Sequence, residues 1–264
     1  MPEFGEFFCF EGGQLISRIG DAGAEVKLAV ADSWLVEDGK VRDLEAHFSR
    51  FERWVSKVDQ VSASQLSEFF NAVRLAIPLE GRWFPRIELH AEAELGSRLY
   101  LRLREAPALN TTAILWTNPE ADPRSNSSVK GPDLSLGMQM RRAAQMHGAD
   151  EAVILNSAGY VAEGALSSLV WWRDDVLCAP GPEIEWLESI TRDKVFAIAE
   201  SMGLQTSFEA ATPEDLSGLE IWSLSSLQGI RLVTDWVDLE ARVGQPKYFD
   251  SFAKRLRLLS GAIR

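Results

Sequence analysis

Residues 129–180 read VKGPDLSLGMQMRRAAQMHGADEAVILNSAGYVAEGALSSLVWWRDDVLCAP, and this stretch decides the fold. The Gly-Pro pair at 131–132 interrupts regular structure directly after Lys130, and Asp133 can cap a helix that ends at Gly148. A short apolar run, an Asn-Ser-Ala-Gly turn and a second extended segment follow the helix. This alternation of helix and strand predicts an α/β (α+β) fold.

Glu163 stands at the end of the second extended segment and is followed by small residues at 164, 165, 167 and 168. Small residues leave room for a ligand or for a close approach of the backbone. By residue type alone, Lys130 would be a solvated loop lysine and Glu163 a surface carboxylate, because both types are usually exposed. The local pattern therefore leaves their roles open.

Composition excludes several classes of protein. The 264 residues include 27 Lys plus Arg and 39 Asp plus Glu, a net charge of -12, so we expect no nucleic acid and no anionic membrane as partner. The acidic amino terminus does not resemble a secretory signal, and no apolar run is long enough to span a membrane. Cys9 and Cys178 are too few for a disulfide framework, and no Cys/His cluster has zinc-ligand spacing. We expect a cytoplasmic protein without a metal.

The first part of the chain predicts a small amino-terminal α/β lobe over residues 1–108. Two extended runs within residues 24–37 and an Asp38-Gly39 turn precede a helix that Asp43 can cap, and a second helix is expected from Ser64 to Ile77. Strands follow at 86–91 and 98–104. We expect the histidines at positions 47, 90 and 147 to be structural or solvent-facing.

The strand at 98–104 alternates leucines with Tyr100, Arg102 and Arg104. Three polar side chains on one strand face can line a pocket, and these three are the candidates to bind a substrate carboxylate. A half-exposed antiparallel strand explains the same alternation equally well.

Residues 109–126 contain Pro119 and Pro123 and predict a connection to a large carboxy-terminal α/β lobe over 127–264. In that lobe, Ser189 or Thr191 can begin a helix whose amino terminus would bind an anion. A compact apolar strand at 219–224 precedes two serines, and a final amphipathic helix is expected at 248–259.

An amine, a carboxylate, an arginine and a helix amino terminus are the groups that pyridoxal phosphate requires. The amine can form a Schiff base with an aldehyde, the carboxylate can keep a pyridinium nitrogen protonated, and the other two can hold a phosphate. Residue types alone do not single these residues out.

The segments GADEAVILNSAGYVAEGALSSLVWW (148–172) and SITRDKV (189–195) resemble the class IV aminotransferases. These are the fold-type IV pyridoxal-phosphate enzymes, which include branched-chain aminotransferase, D-amino-acid aminotransferase and 4-amino-4-deoxychorismate lyase. The likeness runs from about Asp32 to Val233. It implies a two-lobed fold like that of D-amino-acid aminotransferase, with pyridoxal 5'-phosphate between the lobes, a small-molecule amino substrate and a homodimer.

The resemblance also implies roles for single residues. Lys130 is similar to the Schiff-base lysine of the family, and Glu163 is similar to the glutamate that pairs with the pyridine nitrogen. Arg50, in HFSRF, resembles the arginine of the H-x-x-R-L segment that contacts the cofactor phosphate.

Two further segments resemble the phosphate-binding parts of the family. Ile190 and Thr191 resemble the Ile-Thr pair of G-I-T-R, and Ser225 and Ser226 fall where the family has Gly-Thr or Asn-Ala after a strand. The glycine of G-I-T-R is Ser189 here. The usual Gly-rich segment before the first helix is replaced by VADSWLV.

The SLQGIR segment resembles the lyase side of the family slightly more than the transaminase side. The sequence therefore narrowly favours 4-amino-4-deoxychorismate lyase, which eliminates pyruvate to give 4-aminobenzoate in the folate pathway. A branched-chain or D-amino-acid transaminase is the first alternative. The altered segments leave a second alternative, a pyridoxal-phosphate-binding protein without turnover.

Overall fold

The structure is a computed structural model that describes residues 6–18, 28–91, 93, 97–240 and 242–264. The chain forms two compact units. The first contains Met1–Ala108, Val129–Pro132 and Leu259–Arg264, and the second contains Leu109–Ser128 and Asp133–Leu258. The division predicted from the sequence assigns 127–264 to one lobe, whereas the short segment around Lys130 and the last six residues lie in the first unit.

The first unit holds two antiparallel sheets. The strands are β1 (Glu6–Glu11), β2 (Gln14–Ser17), β3 (Leu28–Ser33), β4 (Val36–Glu37), β5 (Lys40–Arg42), β6 (Arg82–Trp83), β7 (Arg86–His90) and β8 (Leu99–Leu103). A five-stranded sheet has the order β2-β1-β8-β7-β3, which places β3 at its edge. A late strand that we number β17 (Ser260–Ala262) joins the smaller sheet, which has the order β17-β5-β4-β6.

Two helices, α1 (Leu44–Val58) and α2 (Ala63–Ala76), bury their apolar faces in the core of this unit. The core is rich in aromatic rings, and those of Phe48 and Phe70 stack with centroids 4.2 Å apart. Helix α2 begins earlier than predicted, because the side chain of Ser62, not Ser64, accepts a hydrogen bond from the Gln65 amide.

The register of the five-stranded sheet separates its two faces. Asp32 lies opposite Ile87, and Ile87 lies opposite Leu101, so the three share the face that the helices cover. Glu88 pairs with Tyr100 on the other face. The predicted alternation of strand 98–104 is therefore confirmed, with leucines in the core and polar side chains opposite.

The second unit is an eight-stranded mixed sheet with helices. Its strands are β9 (Thr112–Thr117), β10 (Glu151–Leu155), β11 (Val161–Gly164), β12 (Ser168–Arg173), β13 (Val176–Pro180), β14 (Gln205–Glu209), β15 (Glu220–Ser225) and β16 (Gly229–Trp236). The order is β11-β10-β9-β16-β15-β12-β13-β14. The helices are α3 (Leu134–Met146), α4 (Ile190–Ser201), α5 (Phe249–Leu258) and a 3-10 turn at Glu214–Leu216. Because β9 and β10 run parallel, as do β13 and β14, helices α3 and α4 serve as their crossovers.

A buried carboxylate fixes the start of α5. Glu220 accepts hydrogen bonds from the amides of Lys247 and Phe249, at 2.7 and 2.9 Å, and from the indole of Trp222. The negative charge satisfies N–H groups that a helix amino terminus leaves without partners. Glu220 is therefore a structural acid.

The α/β prediction is confirmed, and most predicted elements occur within two residues of their expected bounds. Of the predicted run at 24–37, residues 24–27 lie outside the described part. The sequence analysis did not predict β1, β2, β6, β13, β14 and β17. In the described ranges, no helix combines the length and apolar character that a membrane span requires.

Candidate active site

Lys130 is held by its backbone against the edge strand β3. Its carbonyl accepts a hydrogen bond from the Ala31 amide at 2.7 Å. Gly131 makes this approach possible, since a Cβ there would lie 2.9 Å from the Cα of Val30 and 3.0 Å from the Ala29 carbonyl. Gly131 also has a φ of +149°, which side-chain-bearing residues rarely adopt. The break predicted after Lys130 is thus a docking point.

Arg50 lies on α1 and grips the neighbouring residue of β3. Its Nε donates to Asp32 Oδ2 and its Nη2 donates to Oδ1, both at 2.8 Å. The Nδ1 of His47 lies 2.8 Å from the same Oδ1. Asp32 is fully buried, and His47 and Arg50 are 2% and 4% exposed. Lys130 and Arg50, both predicted as cofactor ligands, therefore lie against adjacent residues of one strand.

The electrostatics of this trio are well defined. Burial by itself would raise the pKa of Asp32, but the Arg50 and His47 side chains outweigh it and hold that pKa well below its usual range. Burial lowers the pKa of His47, the charges of Arg50 and Lys130 add to the effect, and Asp32 opposes it. The neutral imidazole then donates Nδ1–H to Asp32, a tautomer inferred from the contact. His47 was expected to be structural or solvent-facing, and it is buried.

Glu163 lies on β11 and is 4% exposed. Its Oε1 accepts hydrogen bonds from Arg124 Nη1 at 2.8 Å and from the Leu187 amide at 3.2 Å. Burial raises the pKa of Glu163 to about 7, although Arg124 acts in the opposite direction. The sequence analysis missed Arg124, because it stands in a loop without periodic pattern. The surface-carboxylate reading of Glu163 is wrong.

Helix α4 begins at Ile190, where the sequence predicts a helix amino terminus that would bind an anion. Ile190 and Thr191 form its first turn, and both are buried. Ser189 caps the helix, with its hydroxyl accepting from the Arg192 amide at 3.2 Å. Its φ of -113° suits any residue, so a serine at the family's glycine position causes no backbone strain. The first N–H groups of the helix have no intrahelical partner.

Ser225 and Ser226 lie at the end of β15. The Ser225 hydroxyl accepts a hydrogen bond from the Gln228 amide at 3.1 Å, which closes the turn to β16. In the second unit, Glu163 accepts a hydrogen bond from the amide of Leu187, which lies three positions before Ile190. The structure therefore brings Glu163 close to the segment that leads into α4.

The predicted substrate residues lie on the polar face of the five-stranded sheet, opposite the face that carries Asp32. Arg86 and Arg102 both bond to Glu88 Oε1, at 2.6 and 3.1 Å. Arg104 donates to the Phe84 carbonyl at 2.9 Å. Burial, with the positive charges of Arg86 and Arg102, lowers the pKa of Arg104 to about 10.

Aromatic stacking orders the rest of this face. The Tyr100 ring stacks on His90 with centroids 4.2 Å apart and on Phe7 with centroids 5.0 Å apart. Arg102 lies over the Phe7 ring at 4.6 Å. Three guanidinium groups face one carboxylate here, among the residues that the structure describes. The face therefore suits an anion.

A family profile described as amino-transferase class IV matches residues 29–236. The chain belongs to this family. Class IV aminotransferases are pyridoxal-phosphate-dependent enzymes, so membership confirms the class of enzyme and the cofactor that the sequence predicts. The matched residues include Asp32, Lys130 and Glu163.

Individual relatives are distant. The branched-chain-amino-acid aminotransferase of Escherichia coli (strain K12) is 29% identical over 127 residues, and the match covers 44% of this chain and 41% of that protein. Less than half of the length of this curated relative is therefore matched.

Solved structures match over most of the chain. A hypothetical aminotransferase from Mycobacterium tuberculosis, with alpha-ketoglutarate and PMP bound, has a TM-score of 0.80 at 20% identity and covers 96% of this chain and 98% of its own. A Legionella pneumophila protein provisionally named as a 4-amino-4-deoxychorismate lyase has a TM-score of 0.72 at 17% identity, with coverages of 87% and 90%. These likenesses confirm the predicted fold class.

The residues of this class IV aminotransferase fit pyridoxal phosphate. Gly131 allows the backbone of Lys130 to approach β3 where only a glycine fits. Glu163 is a buried carboxyl whose pKa is about 7. The N–H groups at the start of α4 suit a phosphate.

Replacing Gly131 by alanine should displace Lys130, because the added Cβ would meet the backbone of β3. We expect G131A to bind pyridoxal phosphate about 10-fold or more weakly, as overpacking of this kind costs about 1–3 kcal/mol. Absorbance titration of the cofactor-free protein measures this. G261A is the control, since a Cβ at Gly261 meets nothing within 4 Å. Equal affinities of G131A and wild type would refute the docking role.

Glu163 should make stability depend on pH. Its pKa in the folded protein, about 7, lies above the ordinary value of 4.5, so the folded state binds more protons between these values. Stability from this group is therefore present below pH 4.5 and is lost as pH rises to about 7. Relative to E163Q, the cofactor-free wild type should lose up to about 3 kcal/mol across this window.

Urea unfolding at a series of pH values tests this expectation. The exposed Glu240 gives a control, E240Q, that should keep the wild-type profile. A difference between wild type and E163Q that stays constant from pH 4.5 to 7 would show that Glu163 titrates normally.

Proposed function

We propose that this chain is a pyridoxal-phosphate-dependent amino-acid transaminase with Lys130 as its catalytic residue. One observation carries the proposal: the Lys130 carbonyl accepts a hydrogen bond from the Ala31 amide, and the next residue, Asp32, pairs with Arg50. This arrangement fixes a lysine and an arginine against one strand. An aldehyde with a phosphate group needs both.

Each residue has a defined task in this proposal. The cofactor, when bound, supplies an electron sink for the bond that breaks at the substrate α-carbon. The Lys130 amine would hold the aldehyde, and its Nζ would remove and return the substrate proton as general base and acid. Glu163 accepts the ring N–H and so favours a positive charge on that ring.

The phosphate is assigned to groups that donate hydrogen bonds. Arg50 supplies a guanidinium, Ile190 and Thr191 supply the N–H groups of the α4 start, and Thr191 adds a hydroxyl. Ser225 and Ser226 are proposed to contribute at the same end of the cofactor. The helix dipole of α4 adds to the attraction for the anion.

A carboxylate of the substrate is assigned to the polar face that carries Tyr100, Arg102 and Arg104. Glu88 neutralises one positive charge of this face, and burial raises its pKa while His90, Arg86 and Arg102 lower it to about 2 overall. Glu88 is therefore ionised at neutral pH. The remaining guanidinium charge favours an amino acid or a 2-oxo acid over an amine that lacks a carboxylate.

The relatives favour transamination over elimination. The curated relative is a branched-chain aminotransferase, and the Mycobacterium tuberculosis protein was solved with a 2-oxo acid, alpha-ketoglutarate. A transaminase would remove a proton from the α-carbon of an amino acid and finally transfer the amine to a 2-oxo acid.

The lyase that the sequence narrowly favours is the second candidate. The SLQGIR segment and the likeness to the Legionella pneumophila protein support it. That reaction converts 4-amino-4-deoxychorismate into 4-aminobenzoate and pyruvate, without an amine acceptor. We also propose a homodimer in the cytoplasm, on the strength of the family resemblance and the low cysteine content.

A reaction screen of the purified protein should separate the candidates. We expect amino acids to change the cofactor absorbance of wild type and turnover to require a 2-oxo acid. Release of pyruvate from 4-amino-4-deoxychorismate without an acceptor would instead establish the lyase. A yellow protein whose spectrum no amine donor changes would indicate binding without turnover.

The same protein tests the lysine. Borohydride should reduce the wild-type adduct and fix the cofactor to the peptide that contains Lys130, and K130A should give no fixed adduct there. Mass spectrometry of the digested protein identifies the labelled peptide. A reducible adduct at this site in K130A would overturn the assigned chemistry.

Arg104 should determine the affinity for the substrate carboxylate. We expect R104Q to raise KM about 10-fold or more with a smaller change in kcat, because one charge-assisted hydrogen bond contributes about 1.5–3 kcal/mol. R98Q is the matched control: Arg98 precedes the same strand and pairs with Asp59 at 2.7 Å. Equal KM values for R104Q and R98Q would place the carboxylate elsewhere.

A further inference from the structure

The two oxygens of Glu163 are used unequally. Both hydrogen bonds that the structure describes for this carboxyl end on Oε1, one from Arg124 and one from the Leu187 amide. Oε2 accepts none of the hydrogen bonds that the structure describes for this carboxyl. Pairing on one side fixes the plane of the carboxyl group before any ligand binds.

Arg124 is itself held from the far side. Its Nε donates to Asp122 Oδ1 at 2.9 Å and its Nη2 donates to Oδ2 at 2.8 Å. The side chain is 8% exposed. Because the guanidinium is a rigid planar fork, this two-point pairing leaves Nη1 directed at Glu163. Pro123 restricts the backbone between the two paired residues.

We propose that Arg124 is the positioning residue of the cofactor ring: it holds Oε1 of Glu163 and presents Oε2 to the ring nitrogen. This inference rests on the proposed pairing of Glu163 with that nitrogen. Arg124 touches neither the substrate nor the reacting carbon in this role. It acts through Glu163.

The charges around Glu163 set the direction of the effect. Burial raises the pKa of Glu163, Arg124 lowers it, and the nearby Asp122 raises it slightly. The Arg192 guanidinium, on α4, adds a weaker positive charge, since its own pKa responds to Glu163. Without Arg124, burial would raise the pKa of the Glu163 carboxyl further, and the protonated form would predominate at neutral pH. A protonated carboxyl donates to a ring nitrogen, and the ring would then lose its positive charge.

The experiment uses the full chain with and without pyridoxal phosphate. Infrared titration of the cofactor-free protein measures the pKa of the Glu163 carboxyl, with E163Q identifying its band. In the loaded protein, the 15N chemical shift of labelled pyridoxal phosphate reports whether the ring nitrogen is protonated. The variants are R124Q and R124K. The control R173Q removes a similar arginine, which pairs with Glu209 at 2.9 Å.

We expect R124Q to raise the Glu163 pKa by about one pH unit or more and to move the ring nitrogen to its unprotonated shift at pH 7.5. R124K keeps the positive charge but not the planar fork, so it should restore only part of the wild-type behaviour, and R173Q should change neither signal. The kcat of R124Q should fall about 10-fold or more, as one pKa unit corresponds to a tenfold change in a protonation equilibrium, while KM stays within about 3-fold.

Three outcomes would contradict the proposals, and they distinguish one proposal from the other. If E163Q deprotonates the ring nitrogen and R124Q does not, Glu163 has its proposed role and the inference about Arg124 is wrong. If E163Q leaves the ring nitrogen protonated, the proposed pairing of Glu163 fails, and with it the positioning role. A loss of thermal stability in R124Q, with an unchanged carboxyl pKa and ring shift, would assign Arg124 a structural role only.

Discussion

The hydrogen bond from the Ala31 amide to the Lys130 carbonyl is the constraint on which the candidate site depends. A lysine is flexible by nature, and its long stem explores many rotamers in a loop. Here the backbone under it is added to the free edge of β3 as if it were a further strand residue. The backbone that carries the amine is therefore fixed against Ala31. The next residue of β3 is Asp32, whose carboxylate orders Arg50.

Two buried carboxylates in this chain illustrate how partners decide ionisation. Asp32 has a full bidentate arginine and a histidine, and these hold its pKa down in spite of complete burial. Glu163 has one arginine nitrogen and one amide on a single oxygen, and burial prevails. The first acid is consequently a permanent counter-charge for its neighbours, whereas the second is able to respond to a ligand.

The sequence predicted the elements whose signals are local. Helix α1 follows from an apolar face behind Asp43, and α4 follows from Ser189 ahead of a helical run. Strand β1 was missed because EFFCFE carries phenylalanines on both faces and reads as an irregular acidic terminus. Its aromatic residues are explained only by the pairing of β1 with β2 on one side and with β8 on the other.

The site residues divide in the same way. Lys130 and Glu163 were found through an ordered resemblance, not through local pattern. The pairing of Asp32 with Arg50 spans 18 positions, and that of Arg124 with Glu163 spans 39, so neither leaves a periodic signal in the chain. In the sequence, Ser189 departs from the glycine of the family motif. Only its backbone angles show that a side chain is accommodated there.

The first unit is assembled from three separated stretches of the chain, and this has a consequence for biosynthesis. Strand β5 pairs with β17, which is formed by residues 260–262, and β3 receives the backbone of Lys130. During translation, the edges of the early strands stay unpaired until these later residues leave the ribosome. Unpaired strand edges can pair with other chains. An amino-terminal fragment that stops at residue 108 would keep those edges open permanently, and it should aggregate rather than fold.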